Sequence, residues 1–153
     1  MAQKALNKQM PSHTEQQISP YSPQQLFDLV VDIEKYPEFL PWCRAARILE
    51  RENNEFLGEL VISFAHITES YTSRVTLNEP HSIDVVMVKG PFEYLTNKWK
   101  FTPLENGTRI DLALDFKFRS RLLEKLIGSL FAKATHKMAG AFKKRADELY
   151  GKG

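Results

Sequence analysis

One cysteine, Cys43, stands in a chain of 153 residues. That excludes an internal disulfide and any cysteine-based zinc site. With no Cys/His pairing legible around it, Cys43 reads as a semi-buried apolar residue rather than a nucleophile. No stretch approaches the roughly 20 apolar residues that cross a bilayer. The net charge is only +2, so no global argument for nucleic acid exists and no DNA partner is expected. The four histidines, His13, His66, His81 and His136, show neither HxH nor HExxH spacing, and no metal site is expected. GxGxxG, GK[ST] and GxSxG are all missing, which removes phosphate cradles and the serine-hydrolase elbow. Asp111 and Asp115 share a strand face, but it is the polar one, so they read as solvated charges. No catalytic residue is expected.

What is there is ordinary for a folded domain: 42% hydrophobic and 26% charged residues. This composition excludes a mainly disordered chain, and the length suits one domain with its own core. The opening MAQKALNKQMPSHTE has no apolar core of a secretory signal, and it carries Lys4 and Lys8 but no arginine. Residues 1–13 are read as a disordered leader and residues 14–151 as a single domain. A soluble, cytoplasmic protein is expected.

Thr14–Ser19 reads as a short strand stopped by Pro20. Ser22-Pro23 opens a helix, with proline where its missing N–H costs nothing. Leu26, Phe27, Val30 and Val31 form its apolar face. A further turn at residues 32–36 runs into Pro37. The densest aromatic cluster follows, Tyr36-Pro37-Glu38-Phe39-Leu40-Pro41-Trp42, which is either a packing plug or one wall of a ligand opening. The period then changes to two. Strands are expected at 45–51, 56–65, 69–77, 83–89, 97–102 and 109–118, with turns at Asn53-Asn54, Asn78–His81, Gly90-Pro91 and 103–107.

The last segment, Ser120–Tyr150, is a long helix. Leu122, Leu123, Leu126, Ile127, Leu130, Phe131, Ala134, Met138, Phe142, Ala146 and Leu149 recur at helical spacing along one stripe. Ser120 supplies an N-cap and Gly151 a C-terminal stop. Gly128 and Gly140, inside the helix, suggest close approach of a backbone or ligand, or a bend.

Strand, two short helices, six strands and one long helix make an α+β chain. A meander has one apolar face to cover, and only the last helix is long enough. The expected fold is therefore a helix-grip: a curved antiparallel sheet of about seven strands around a long C-terminal helix, with a cavity between them. Phe64, Trp99, Leu112, Leu114 and Phe116 would line it from the sheet, and Leu123, Ile127, Phe131 and Met138 from the helix. Phe39, Leu40 and Trp42 would form a wall. His66, Tyr71 and Ser73 are candidate polar groups for a ligand head, although His66 also fits a hairpin residue and Tyr71 a core tyrosine. From Lys117 to Arg145 nine basic residues face one acid, Glu124. Lys125, Lys133, Lys137, Lys143 and Lys144 mark either a solvated helix face or a docking face for a polyanion, acidic lipid headgroups or ribosomal RNA.

The runs LVVDIEKYPEFLPWC, ESYTSRV and GPFEYLTNKWKFTP, with LDFKF-S-LLEKLIGSLF through MAGAFKKRADELYG, carry a family resemblance. Over about residues 15–151 the chain resembles the coenzyme Q-binding family. That family is START-like, of the polyketide cyclase/dehydrase superfamily, and includes proteins described as ribosome-association toxins. The resemblance implies a START/Bet v 1-like fold and a cavity that binds a polyprenylated quinone such as ubiquinone, without known catalysis or cofactor. It also implies support of respiration or quinone biosynthesis, in bacteria or mitochondria, and, for part of the family, action on a ribosomal subunit. The basic helix face adds the expectation of peripheral contact with an anionic surface at the inner membrane. Where relatives tend to read GFKGI, this chain has Ser63-Phe64-Ala65-His66-Ile67.

Overall fold

The structure is a computed structural model and describes residues 12–64 and 66–151, the side chains of Ser12, Phe64 and residues 127–132 excepted. In chain order the elements are β1 (Ser12–Ser19), α1 (Pro23–Val31), a 3-10 turn (Ile33–Glu38), β2 (Cys43–Glu52), β3 (Glu55–Phe64), β4 (Ile67–Asn78), β5 (Ser82–Lys89), β6 (Phe92–Leu104), β7 (Gly107–Phe118) and α2 (Arg121–Tyr150). All strands join one antiparallel sheet in the order β1-β7-β6-β5-β4-β3-β2. The helix-grip expectation holds: β2 to β7 are a meander, β1 returns to pair beside β7, and α2 covers the apolar face. The expected leader lies outside the described residues, except that Ser12 and His13 already belong to β1.

Local chemistry sets the helix starts. Ser22 accepts from the Gln25 N–H while the Gln25 side chain accepts from the Ser22 N–H, a reciprocal cap that fixes α1. Ser120 accepts from the Leu123 N–H at 3.2 Å and opens α2 as expected. Gly151 ends it in extended rather than left-handed backbone, unlike a usual C-terminal glycine. β6 runs straight through Pro103, expected to be a turn, because the reversal is made at residues 105–106 and Gly107.

One core lies under α1 and the C-terminal half of α2, around Phe27, Leu40, Phe56, Ile83, Trp99, Phe101 and Phe142. A second cluster, Phe92, Leu95, Leu114, Phe116 and Phe118, packs with Leu123 under the first turns of α2. The stripe reading of α2 fails at its ends. Leu122, Leu126 and Leu149 are 67%, 59% and 50% exposed, since the face toward the sheet is centred on Thr135, Ala139, Phe142 and Ala146. Gly140 is exposed and a Cβ there would meet nothing within 4 Å, so close approach does not explain it. Gly128 lies in the part of α2 whose side-chain surroundings are not described.

Candidate functional site

Between the sheet and α2 lies a partly open cavity of about 120 Å³. Its walls follow from strand parity and helix period. On β4, Tyr71, Ser73 and Val75 face inward; on β3, Gly58, Leu60 and Ile62 do; on β6, Leu95, Asn97 and Trp99. Ala134, Thr135, Met138 and Phe142 face it from α2, at steps of one, three and four residues. Val30 of α1 and Ile33 and Tyr36 of the 3-10 turn close one side, with Trp42 just before β2.

The cavity is mostly apolar, with a few polar groups set in it. Ser73 is 5% exposed, and its Oγ has no hydrogen-bond partner among the described residues. Asn97 donates its amide N–H to the Ala113 carbonyl at a long 3.4 Å. The Tyr36 hydroxyl donates to the Val30 carbonyl at 2.5 Å, which ties the 3-10 turn to α1. Burial pushes the hydroxyls of Tyr36 and Tyr71 far above the usual phenol range, so both stay neutral donors. Cys43 is 3% exposed, and burial pushes its thiol up to about 11, a protonated and unreactive state.

Of the residues expected at the cavity, Trp42, Tyr71, Ser73, Trp99, Leu114 and Met138 line it. Several do not. Phe39 instead stacks edge-on with Tyr36 and Phe142, under the Arg145 guanidinium at 5.1 Å from its ring. Leu40 is fully buried in the main core. His66 sits exposed at the β3–β4 reversal with φ +66°, the left-handed conformation the chain needs to turn there. It is therefore at the hairpin end, away from Tyr71, which pairs with Leu60. Leu112 faces a smaller space between β1, α1 and the end of α2. Phe116 and Leu123 pack in the second cluster and are not among the cavity walls. Phe64, Ile127 and Phe131 fall among the undescribed side chains.

Asn97 and Thr135 were missed, although a signal for each existed. Asn97 has the parity of Trp99 and Phe101, and Thr135 lies three residues before Met138: each is a polar residue on an apolar face. Lys125, Lys133, Lys137, Lys143 and Lys144 are all exposed, as expected of a solvated or docking face. Asp111 accepts from Gln16 at 2.7 Å and from Arg109 at 3.1 Å, away from the cavity. Among the described residues no group of three or more histidine, cysteine or acidic side chains is arranged to hold a metal ion. None of their helices is long and apolar enough to cross a membrane.

Over 136 residues the chain is 51% identical to the ribosome association toxin RatA of Rickettsia prowazekii, covering 86% of this chain and 93% of that one. It is 28% identical over 145 residues to the mitochondrial coenzyme Q-binding protein COQ10 homolog B of Xenopus laevis, covering 92% of this chain and 59% of that one. The solution structure of an 18 kDa protein from Caulobacter crescentus, 33% identical, superposes with a TM-score of 0.76 over 94% of this chain and all, 100%, of that one. The pattern of the family described as "Polyketide cyclase / dehydrase and lipid transport" matches residues 19–143, most of the sheet and of the long helix, and the chain belongs to that family.

Proposed function

We propose that this chain binds a polyprenylated quinone, ubiquinone or a close analogue, in the cavity between sheet and α2, and carries it without catalysis or cofactor. In this reading it supports respiration or quinone biosynthesis and works peripherally at the inner membrane. The observation that carries the proposal is an apolar cavity with an unpartnered Ser73 hydroxyl in its wall. Ligand pockets combine apolar walls with a few orienting polar groups, and a quinone carbonyl is an acceptor that Ser73 or Tyr71 can donate to. The coenzyme Q-binding name of the Xenopus relative supports the same class.

The volume limits what enters. An apolar cavity of about 150 Å³ holds a benzene-sized ring, so the 120 Å³ here suits one ring or a short isoprenoid piece. The rest of a polyprenyl tail lies outside, or the walls part for it. Organic extraction of the purified protein followed by mass spectrometry tests the proposal. Absence of any quinone, with no uptake from quinone-loaded liposomes, overturns it.

A second reading, inhibition of ribosomal subunit association, is favoured by the name of the 51% identical relative. The exposed lysines of α2 supply cations for RNA phosphates. Sucrose-gradient profiles after overexpression test it, and an unchanged share of joined ribosomes refutes it. A cyclase or dehydratase reading has weaker support, because the buried tyrosines are held neutral and His66 lies outside the cavity.

A further inference from the structure

The first turns of α2 present two leucines outward. Leu122 and Leu126 are 67% and 59% exposed and lie one turn apart on the helix. Beside them run Arg121 and Lys125, also one turn apart and exposed. Neither cation has an acidic partner among the described residues. Further along the same outward line the leucines give way to Lys133, Lys137 and Lys144, all exposed. At 1.5 Å per residue, Lys133 and Lys137 lie roughly 10 and 16 Å beyond Leu126. One acid, Glu124, shares these first turns; two residues from each leucine, it projects from the opposite side of the helix. Asp147 and Glu148 come at the far end, and Asp147 is engaged by the Tyr21 hydroxyl.

The place of these turns in the fold adds to the pattern. The antiparallel register puts the start of β2, the end of β3, the β5–β6 turn and the end of β7 at one end of the sheet. α2 begins at that end. Arg119 fastens it there, donating to the carbonyls of Gly90 and Phe92 at 3.2 Å each. Trp42 and Ile62, two cavity walls, lie at the same end.

We propose that the N-terminal turns of α2 dock on an anionic lipid bilayer, with Leu122 and Leu126 entering the acyl boundary and Arg121 and Lys125 meeting headgroup phosphates. An apolar edge flanked by unpaired cations is what an interfacial helix offers such a surface. The lysine line then lies over the headgroups, and the acidic end of the helix stays away from them. RNA phosphates would reward the cations but gain nothing from two outward leucines, which is why the lipid surface is the better match. The docked pose brings the Trp42 and Ile62 end of the cavity toward the bilayer. In its purpose this inference rests on the lipid-ligand reading, yet docking itself is testable without any quinone.

The test is flotation of the full chain with quinone-free phosphatidylcholine vesicles, with and without phosphatidylglycerol. Quinone uptake from detergent micelles, measured in parallel, lets either idea fail without the other. The wild type is expected to bind only the anionic vesicles, and less as salt rises. Arg121→Gln/Lys125→Gln should lose about twentyfold or more, since each cation near such a surface is worth about fivefold (about 1 kcal/mol). Leu122→Gln/Leu126→Gln should lose about tenfold or more. Lys98→Gln/Lys100→Gln, an equal loss of charge on β6, should change nothing. The substituted leucines are exposed, so unchanged melting temperatures certify the fold. No binding by the wild type overturns the proposal, as does a leucine variant that binds like the wild type. It is equally overturned if the leucine pair proves to drive self-association in sedimentation, or if only ribosomal subunits are bound.

Discussion

Filling the cavity separates its two roles, because what helps the empty fold should harm the ligand. Ala134 is half-buried and points into the cavity from α2. Leucine there keeps helix propensity, within a few tenths of a kcal/mol of alanine. A cavity costs about 24 cal/mol per Å³, so the 120 Å³ present correspond to at most about 3 kcal/mol. An isobutyl group that occupies half of it should recover about 1.5 kcal/mol, unless it meets a wall and strains the helix. For a domain of this size that is roughly 3–6 °C in melting temperature. The same carbon atoms stand where a quinone ring would lie. Ala134→Leu should therefore melt higher than wild type by circular dichroism and fail to take up ubiquinone from liposomes. A variant that is stabilised and still binds quinone normally places the ligand elsewhere. A variant that is destabilised shows that the space is not free, and the volume argument fails with it.

Four further outcomes follow from individual residues. Ser73→Ala removes a buried hydroxyl that has no partner, so the unliganded protein should gain about 1 kcal/mol in chemical denaturation while quinone uptake weakens about tenfold. Gly140→Ala, in an exposed helix interior with open space at the Cβ position, should stabilise by about 1 kcal/mol. Gly107→Ala should destabilise by about 3 kcal/mol or more, because φ is +151° and the new Cβ would lie 2.0 Å from the Ser19 carbonyl oxygen. Glu15 accepts from His136 at 3.0 Å and from His13 at 2.6 Å, and the His136 bond first holds its carboxyl below the ordinary 4.5. A lowered carboxyl contributes stability above its unfolded value and loses it as pH falls through the folded value. The acid limb of stability below about pH 4.5 should thus be shallower in Glu15→Gln, with hydrogen exchange in β1 reporting the difference.

The meander was legible because each of its hairpins is local: turn residues separate alternating runs, and neighbouring strands have no choice of partner. The pairing of β1 with β7 was not, since Gln16 and Asp111 meet across 95 residues and no local pattern encodes that reach. The boundaries of β6 slipped for a different reason. Pro103 signals a turn by itself, yet a strand tolerates proline where no ladder N–H is required. On α2 the apolar period was real but too inclusive. Leucines at steps of three and four were assigned to one stripe wider than the sheet can cover, and Leu122 and Leu126 fell outside it. The same breadth hid a surface feature inside what looked like core. In the cavity the aromatic and aliphatic walls could be read from parity. The roles of Phe39, Leu40 and His66 could not, because they depend on how the 3-10 turn and one left-handed residue aim the chain.

These features bear on how ligand and stability are coupled. The apolar space of the cavity and a Ser73 hydroxyl unpartnered among the described residues both weaken the fold when no ligand is bound, by up to about 3 kcal/mol and about 1 kcal/mol respectively. If Ala134→Leu melts higher, the space is not forced by the backbone. A ligand that fills the cavity and accepts from Ser73 binds the folded state alone and stabilises it by mass action. The gain is about 2.7 kcal/mol when ligand is a hundredfold above its dissociation constant. That is comparable with what the cavity withholds. The melting temperature of the wild type should then rise with added short-chain ubiquinone, while that of Ala134→Leu, already filled, should stay flat. The ribosomal reading makes no such demand on the cavity, since RNA phosphates would meet only the outer face of α2. Ligand-dependent stability in one protein and its absence in the other therefore discriminates between the interior and the surface as the seat of function.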